Sequence, residues 1–271
     1  MVSSMKHYFS VAIHLIKMSI QTNLEYPVNL IGWLFANPLQ FILGIATIQF
    51  VISEFGTLNG WTFGEVAFLY GIAVLSHGLS VILFVQTWYM GYIMLEGEFD
   101  IFMLRPMNVL FQFFFMSFNL IGLTDMIPGI IIFIYGCTQV HFVWSFMNIV
   151  ILLLVLVGAT LIRGALFLAT GSLAFWTKSR NSFIFMNFTL FDQTTKYPMS
   201  IYPRLVQIIF TFIIPLGFIA FYPAGDFLNK SSSFSFSSGI AWATPLIGIF
   251  TFWLTTRVFR RGLKRYESAG S

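Results

Sequence analysis

Asp125 and Arg163 lie deep inside apolar runs long enough to cross a bilayer. An ionised side chain alone at the centre of a membrane costs at least about 2.5 kcal/mol on insertion scales. If each run is one continuous helix, Asp125 lies about fourteen residues from the end near Phe111 and Arg163 about twelve from the end near Phe175, depths of roughly 21 and 18 Å. The expectation is an ion pair, Asp125 with Arg163, between consecutive antiparallel helices. It either only sets their register or also touches a substrate. His77 is the one histidine of four inside such a run, where a packing role and a proton-relay role both suit it.

The other group able to do chemistry is the segment from Gly91 to Asn108. Glu96, Glu98 and Asp100 alternate there with large apolar residues, and Arg105-Pro106 closes the stretch. Such a piece can seat apolar side chains in a partner's groove while its carboxylates meet solvent or basic groups. An ordinary solvated loop fits the same pattern.

No Gly-x-x-x-x-Gly-Lys-Ser/Thr stretch occurs, nor His-Glu-x-x-His, nor Gly-x-Ser-x-Gly. The chain therefore has no phosphate cradle of its own, and no catalytic residue, metal site or bound cofactor is expected. Cys137 is the only cysteine, so an intramolecular disulfide is excluded.

The elements that position these residues follow from composition. Hydrophobic residues make up 58% and charged residues 9%, and 34 residues are Phe. Soluble domains carry roughly 25% charged residues, so much of this surface must face lipid. The net charge of +4 sits in connecting segments rather than in one stripe, which points to membrane topology and not to nucleic acid.

About 20 apolar residues cross a hydrocarbon core of roughly 30 Å. Six runs qualify: 28–52, 63–90, 109–135, 143–176, 205–221 and 240–258. The fold class expected is an all-α membrane protein of six transmembrane helices, a single domain over 1–271. The fifth run is short and contains Pro215, and the apolar run Phe183–Phe191 is too short to cross. Gly158, Gly164 and Gly171 mark the fourth run as a surface for close helix approach. Before the first run, His7, Ser10, His14, Lys17 and Gln21 share one face of a helix over about 5–22, which suits a helix lying in the membrane surface.

Charge placement orients the chain. With the amino terminus inside, Lys6, Lys17, Arg105, Lys178, Arg180, Lys196, Arg204, Arg257, Arg260, Arg261, Lys264 and Arg265 are cytoplasmic. That leaves, of the fourteen basic residues, Lys230 outside and Arg163 within a span. The positive-inside rule then places both termini in the cytoplasm. The Ser-rich stretch 230–238 reads as an external loop.

A surface helix, six spans, a loop with Gly97, Asp100, Leu104, Arg105 and Pro106, and a late region with Tyr197-Pro198, Tyr202-Pro203, Ile214-Pro215 and Tyr222-Pro223-Ala224 resemble the permease subunits of type-two ATP-binding-cassette exporters. The resemblance spans essentially the whole chain, and the loop Lys178–Arg204 is longer than in the best-known members. It implies a multi-pass protein of a bacterial plasma membrane, paired with a second permease subunit, identical or homologous. A separate ATPase subunit would bind the ATP and Mg and receive the loop Glu96–Pro106. The region Tyr222, Pro223 and Ala224 would fold back into the membrane from outside, with Pro223 breaking the helix. The aromatic run at Phe111, Phe113, Phe114 and Phe115 suits an amphiphilic or apolar cargo and suits lipid contact equally. The rivals are an ATP-independent transporter or channel and a purely structural subunit.

Overall fold

Backbone N–H and C=O groups cannot stay unpaired in hydrocarbon, so long apolar runs must become helices. The computed structural model describes residues 2–25, 27–116, 118–179, 183, 185–230, 234 and 239–267, with the side chains at 2–7, 29 and 188 excluded. Arg180, the Lys6 and His7 side chains and most of the Ser-rich stretch 230–238 lie outside the described residues. Among the described residues the chain is helical without strands.

The first half comprises α1 (Val2–Glu25), α2 (Pro27–Phe55) and α3 (Phe63–Phe84), which continues through a 3-10 turn into α4 (Met90–Leu95). Then come α5 (Phe99–Leu104), α6 (Val109–Phe115), α7 (Ile121–Gln139), α8 (Phe146–Ser172) and its extension α9 (Ala174–Thr177). Four stretches are long and apolar enough to cross a membrane: Leu30–Phe55, Phe63–Leu95, Ile121–Gln139 and Phe146–Thr177. The second half is more broken. A π-helical turn Met186–Asp192 leads into α10 (Gln193–Thr195), followed by α11 (Arg204–Ile208), a second π turn Ile209–Ile213, α12 (Phe221–Phe227) and α13 (Ala243–Leu263).

Two expected spans are corrected. The run 109–135 is not one helix: α6 ends at Phe115 and α7 restarts at Ile121, where the Asn119 side chain accepts the Ile121 N–H at 2.9 Å and the Asn119 N–H goes to the Ile82 carbonyl. The run 205–221 is also interrupted. The helix Arg204–Ile213 stops before Pro215, which has no N–H to continue it, and at about 15 Å it is half the length of a span.

The chain instead travels along α8 through residues 185–201. Asn187 donates to Thr170 Oγ1 at 2.6 Å, Asp192 meets Arg163 further along, and the Asn59 side chain reaches the Ser200 carbonyl at 2.6 Å. Lys196 is therefore buried, 3% exposed, rather than held in a cytoplasmic loop. Arg204, over the Phe234 ring at 4.1 Å, follows Ser200 to the Asn59 end. Hydropathy missed this passage because Asn187, Asp192, Thr194, Thr195 and Lys196 all turn inward, away from lipid.

α3 is the centre of the bundle, buried at every residue from Val66 to Gly78. Its seam with antiparallel α7 is built on glycines seven residues apart, Gly64, Gly71 and Gly78 against Gly122, Gly129 and Gly136. A Cβ on Gly71 would lie 2.5 Å from Phe133 Cα, and one on Gly122 would strike the Gly78 carbonyl. Gly71→Ala is thus expected to lower stability by about 1–3 kcal/mol by forcing the helices apart. Gly32→Ala, with nothing within 4 Å of the added carbon, leaves thermal denaturation in detergent unchanged. Equal melting of the two variants would contradict the seam. On α8, Gly158 meets the α13 backbone at Pro245, Gly164 the Phe84 ring and Gly171 the Thr87 carbonyl, so all three act as close-approach positions.

The bundle has two distinct ends. At one, Tyr8 of α1 packs its ring on Phe111, Ser19 Oγ donates to the Phe118 carbonyl, Tyr266 stacks near Phe99 at 5.0 Å, and Lys178 meets Glu267. At the other, Lys230 reaches both Glu65 and the Gly60 carbonyl beside Asn59. α1 leaves Phe9, Ile13 and Met18 exposed while burying Ala12 and Ser19.

Candidate functional site

The loop Gly91–Asn108 folds as two short helices, α4 and α5, turned about Gly97 at φ +75°, a conformation that favours glycine. The rings of this segment go into the chain's own bundle and not into a partner's groove. Phe99 and Phe102, 0% and 5% exposed, enter an aromatic cluster with Met90, Phe113, Phe175 and Phe259. Buried Gln112 pins the loop from beneath, donating to the Phe102 and Met107 carbonyls at 3.1 and 3.0 Å. The other side stays open: Glu96, Glu98, Ile101, Met103, Arg105 and Pro106 are exposed, and Leu104 is 84% exposed. Asp100 turns back towards the carboxyl-terminal Tyr266, whose pKa is pushed up to about 12 by burial and then by the Asp100 carboxylate. The last residues described and the loop are thus in contact.

The expected Asp125–Arg163 pair is corrected. Arg163, 2% exposed, gives Nη1 to Asp192 Oδ1 at 3.1 Å, Nη2 to Thr195 Oγ1 at 2.7 Å and to the Ala73 carbonyl at 3.1 Å, and Nε to Ser76 Oγ at 3.2 Å. Lys196 Nζ takes the other oxygen of Asp192 at 2.5 Å. Asp125 instead lies against His77, Oδ2 to Nδ1 at 3.5 Å, and the other imidazole nitrogen is 4.0 Å from Asp192. The reason is packing order. α3 packs against both α7 and α8, so the helices that carry Asp125 and Arg163, though consecutive, face α3 rather than each other. His77 is accordingly part of a charge cluster and not a lone polar residue.

Asp192 and Lys196 were not identified from the sequence. The signal was available: an acid and a base four residues apart, one turn of helix, directly after an apolar run. A further buried contact joins α2 to α7, Asn37 Nδ2 to Thr124 Oγ1 at 2.9 Å.

At the opposite end, Tyr222, Pro223 and Ala224 are all buried in α12. Pro223 lies in the first turn, where a missing N–H breaks no helical bond, so the helix break falls at Pro215 and not at Pro223. The Tyr222 hydroxyl is 2.6 Å from Thr211 Oγ1, and Phe221 stacks near Trp61 at 5.5 Å, seating the segment against the start of α3.

The site thus joins an anchored amphipathic loop, a bundle with a buried charge cluster, and helices of membrane-crossing length. No curated protein matches the chain. The family model for ABC-2 family transporter proteins matches residues 35–270, from within α2 to the carboxyl-terminal end, and the chain belongs to that family, as a multi-pass membrane permease of ABC-transporter type.

Proposed function

We propose that the chain is the membrane half of an ATP-driven exporter and that Glu96–Pro106 is where the ATPase subunit docks. The observation that carries this is the two-sidedness of the loop: Phe99 and Phe102 lock it to the bundle, while the Ile101 and Leu104 side chains are exposed beside Glu96, Glu98 and Arg105. A loop anchored in that way transmits a push to α4, α8 with its extension α9, and α13, which meet at the same aromatic cluster. Family membership supports an ATPase partner, and in this reading that partner binds the ATP and Mg.

The topology proposed has six passes within one permease domain, with residues 185–201 as the fifth. Both termini and the docking loop lie on the cytoplasmic side of a bacterial plasma membrane, α1 lies in the inner surface, and Tyr222, Pro223 and Ala224 sit in a segment folded back from outside. A second permease subunit completes the pathway, and the cargo is amphiphilic or apolar. The rival, an ATP-independent transporter, draws on His77 lying between two carboxylates. Co-purification with an ATPase, lost on Leu104→Glu, separates the two. Retention of the ATPase by that variant argues against the dock.

A further inference from the structure

A cavity of about 830 Å³ opens between α2, α3 and α7 beside the charge cluster, within the size range of small-molecule sites. Its walls carry the rings of Trp33, Phe41, Trp88, Tyr89 and Tyr92. Besides the two tyrosines, the titratable residues that line it are Asp125, Asp192 and His77; Arg163 and Lys196 do not line it, both being held by Asp192, and Lys196 Nζ also lies 4.7 Å from the centre of the Phe41 ring.

The two carboxylates are not in the same condition. Both oxygens of Asp192 are taken, one by Arg163 and one by Lys196. Asp125 is 2% exposed, and among the described residues its Oδ1 has no hydrogen-bond partner; its Oδ2 lies 3.5 Å from His77 Nδ1, which also has no hydrogen-bond partner among them. Buried polar atoms are nearly always paired, and an unpaired buried carboxylate is among the most costly exceptions. Here the unpaired oxygen belongs to a residue lining an aromatic cavity, and aromatic faces attract cations.

From this juxtaposition we infer that the cavity binds a lipophilic organic cation, with its ammonium or phosphonium centre against Asp125 and its apolar body among the rings. An anion of the same shape would meet the Asp125 carboxylate, the one of the two that Arg163 and Lys196 do not answer. Trp33 is 43% exposed on α2, a helix that leaves most of its apolar surface uncovered, so the cavity wall is reached from hydrocarbon. The cation's role as cargo rests on the exporter reading; its binding does not.

The test uses the full chain in dodecyl maltoside, titrated with radiolabelled tetraphenylphosphonium and with its anionic isostere tetraphenylborate. Saturable binding of the cation, weakened at least tenfold by Asp125→Asn, is expected, with no saturable binding of the borate. Asp125→Asn within twofold of wild type, or borate binding as tightly as the cation, overturns the inference. Should Asp125→Asn fail to fold, Trp33→Leu serves: it weakens the cation about fivefold, and unchanged affinity overturns the inference.

Displacement of the cation by added phosphatidylethanolamine identifies a lipid ammonium as the natural occupant, and no displacement identifies a free solute. Cation binding that leaves the hydrolysis rate of the chain–ATPase complex untouched keeps the site and removes its role as cargo site. A coupled complex that binds no cation removes the site alone.

Discussion

Asp192→Leu is expected to lower stability by about 3–5 kcal/mol, the loss found when one partner of a buried ion pair is removed. Asp192 is the shared counter-ion of Arg163 and Lys196, whose side chains are 2% and 4% exposed. Without it two cations face each other in the bundle. Arg163→Met acts in the same direction but less strongly, because Lys196 still answers Asp192. The combined change Asp192→Leu, Arg163→Met and Lys196→Met removes every member at once and recovers most of the loss, since apolar replacement of a whole buried ionic group is often neutral. Exchanging the charges of Asp125 and Arg163 gives no rescue, because those residues do not meet. The readout is the temperature at which half the detergent-solubilised protein leaves the monodisperse peak. A triple variant no better than Asp192→Leu would contradict the cluster as described.

The second large effect lies on the loop and separates its two faces. Leu104→Glu and Ile101→Glu alter side chains that are 84% and 51% exposed, so the fold tolerates them, with melting unchanged within about 0.5 kcal/mol. Their effect is on assembly: the proposed ATPase contact loses its apolar centre and gains charge beside Glu96 and Glu98. Binding of the ATPase is expected to fall at least tenfold. Phe99→Ala does the reverse, removing a ring with 0% exposure at about 3–5 kcal/mol and loosening the loop from α8 and α13. If Leu104→Glu destabilises the isolated chain as much as Phe99→Ala does, the face taken as open is in fact packed.

How far the sequence could be read depended on which way polar groups point. The membrane character and the helices at Leu30–Phe55, Phe63–Leu95 and Phe146–Thr177 follow from apolar length. The passage at 185–201 did not, because a hydropathy sum scores Asp192 and Lys196 as hydrophilic whether they face lipid or each other. The assignment of Arg163 to Asp125 failed for a related reason. Depth along two helices is legible from residue counts, but the packing of α3 against both is a property of the assembled bundle. The glycines of α3 and α7 were legible in principle, as a repeat of seven on two separate helices that only makes sense when they are laid antiparallel.

The account depends most on the loop, the amino-terminal helix and the carboxyl-terminal end lying on one side of the membrane and Asn59 on the other. In a Cys137→Ala background, single substitutions Arg105→Cys, Arg265→Cys and Asn59→Cys are exposed to a membrane-impermeant maleimide on intact cells and on inverted vesicles. The first two are expected to react only in inverted vesicles and the third only on intact cells. Reaction of Arg105→Cys and Arg265→Cys from opposite sides would contradict the arrangement and, with it, the ATPase dock.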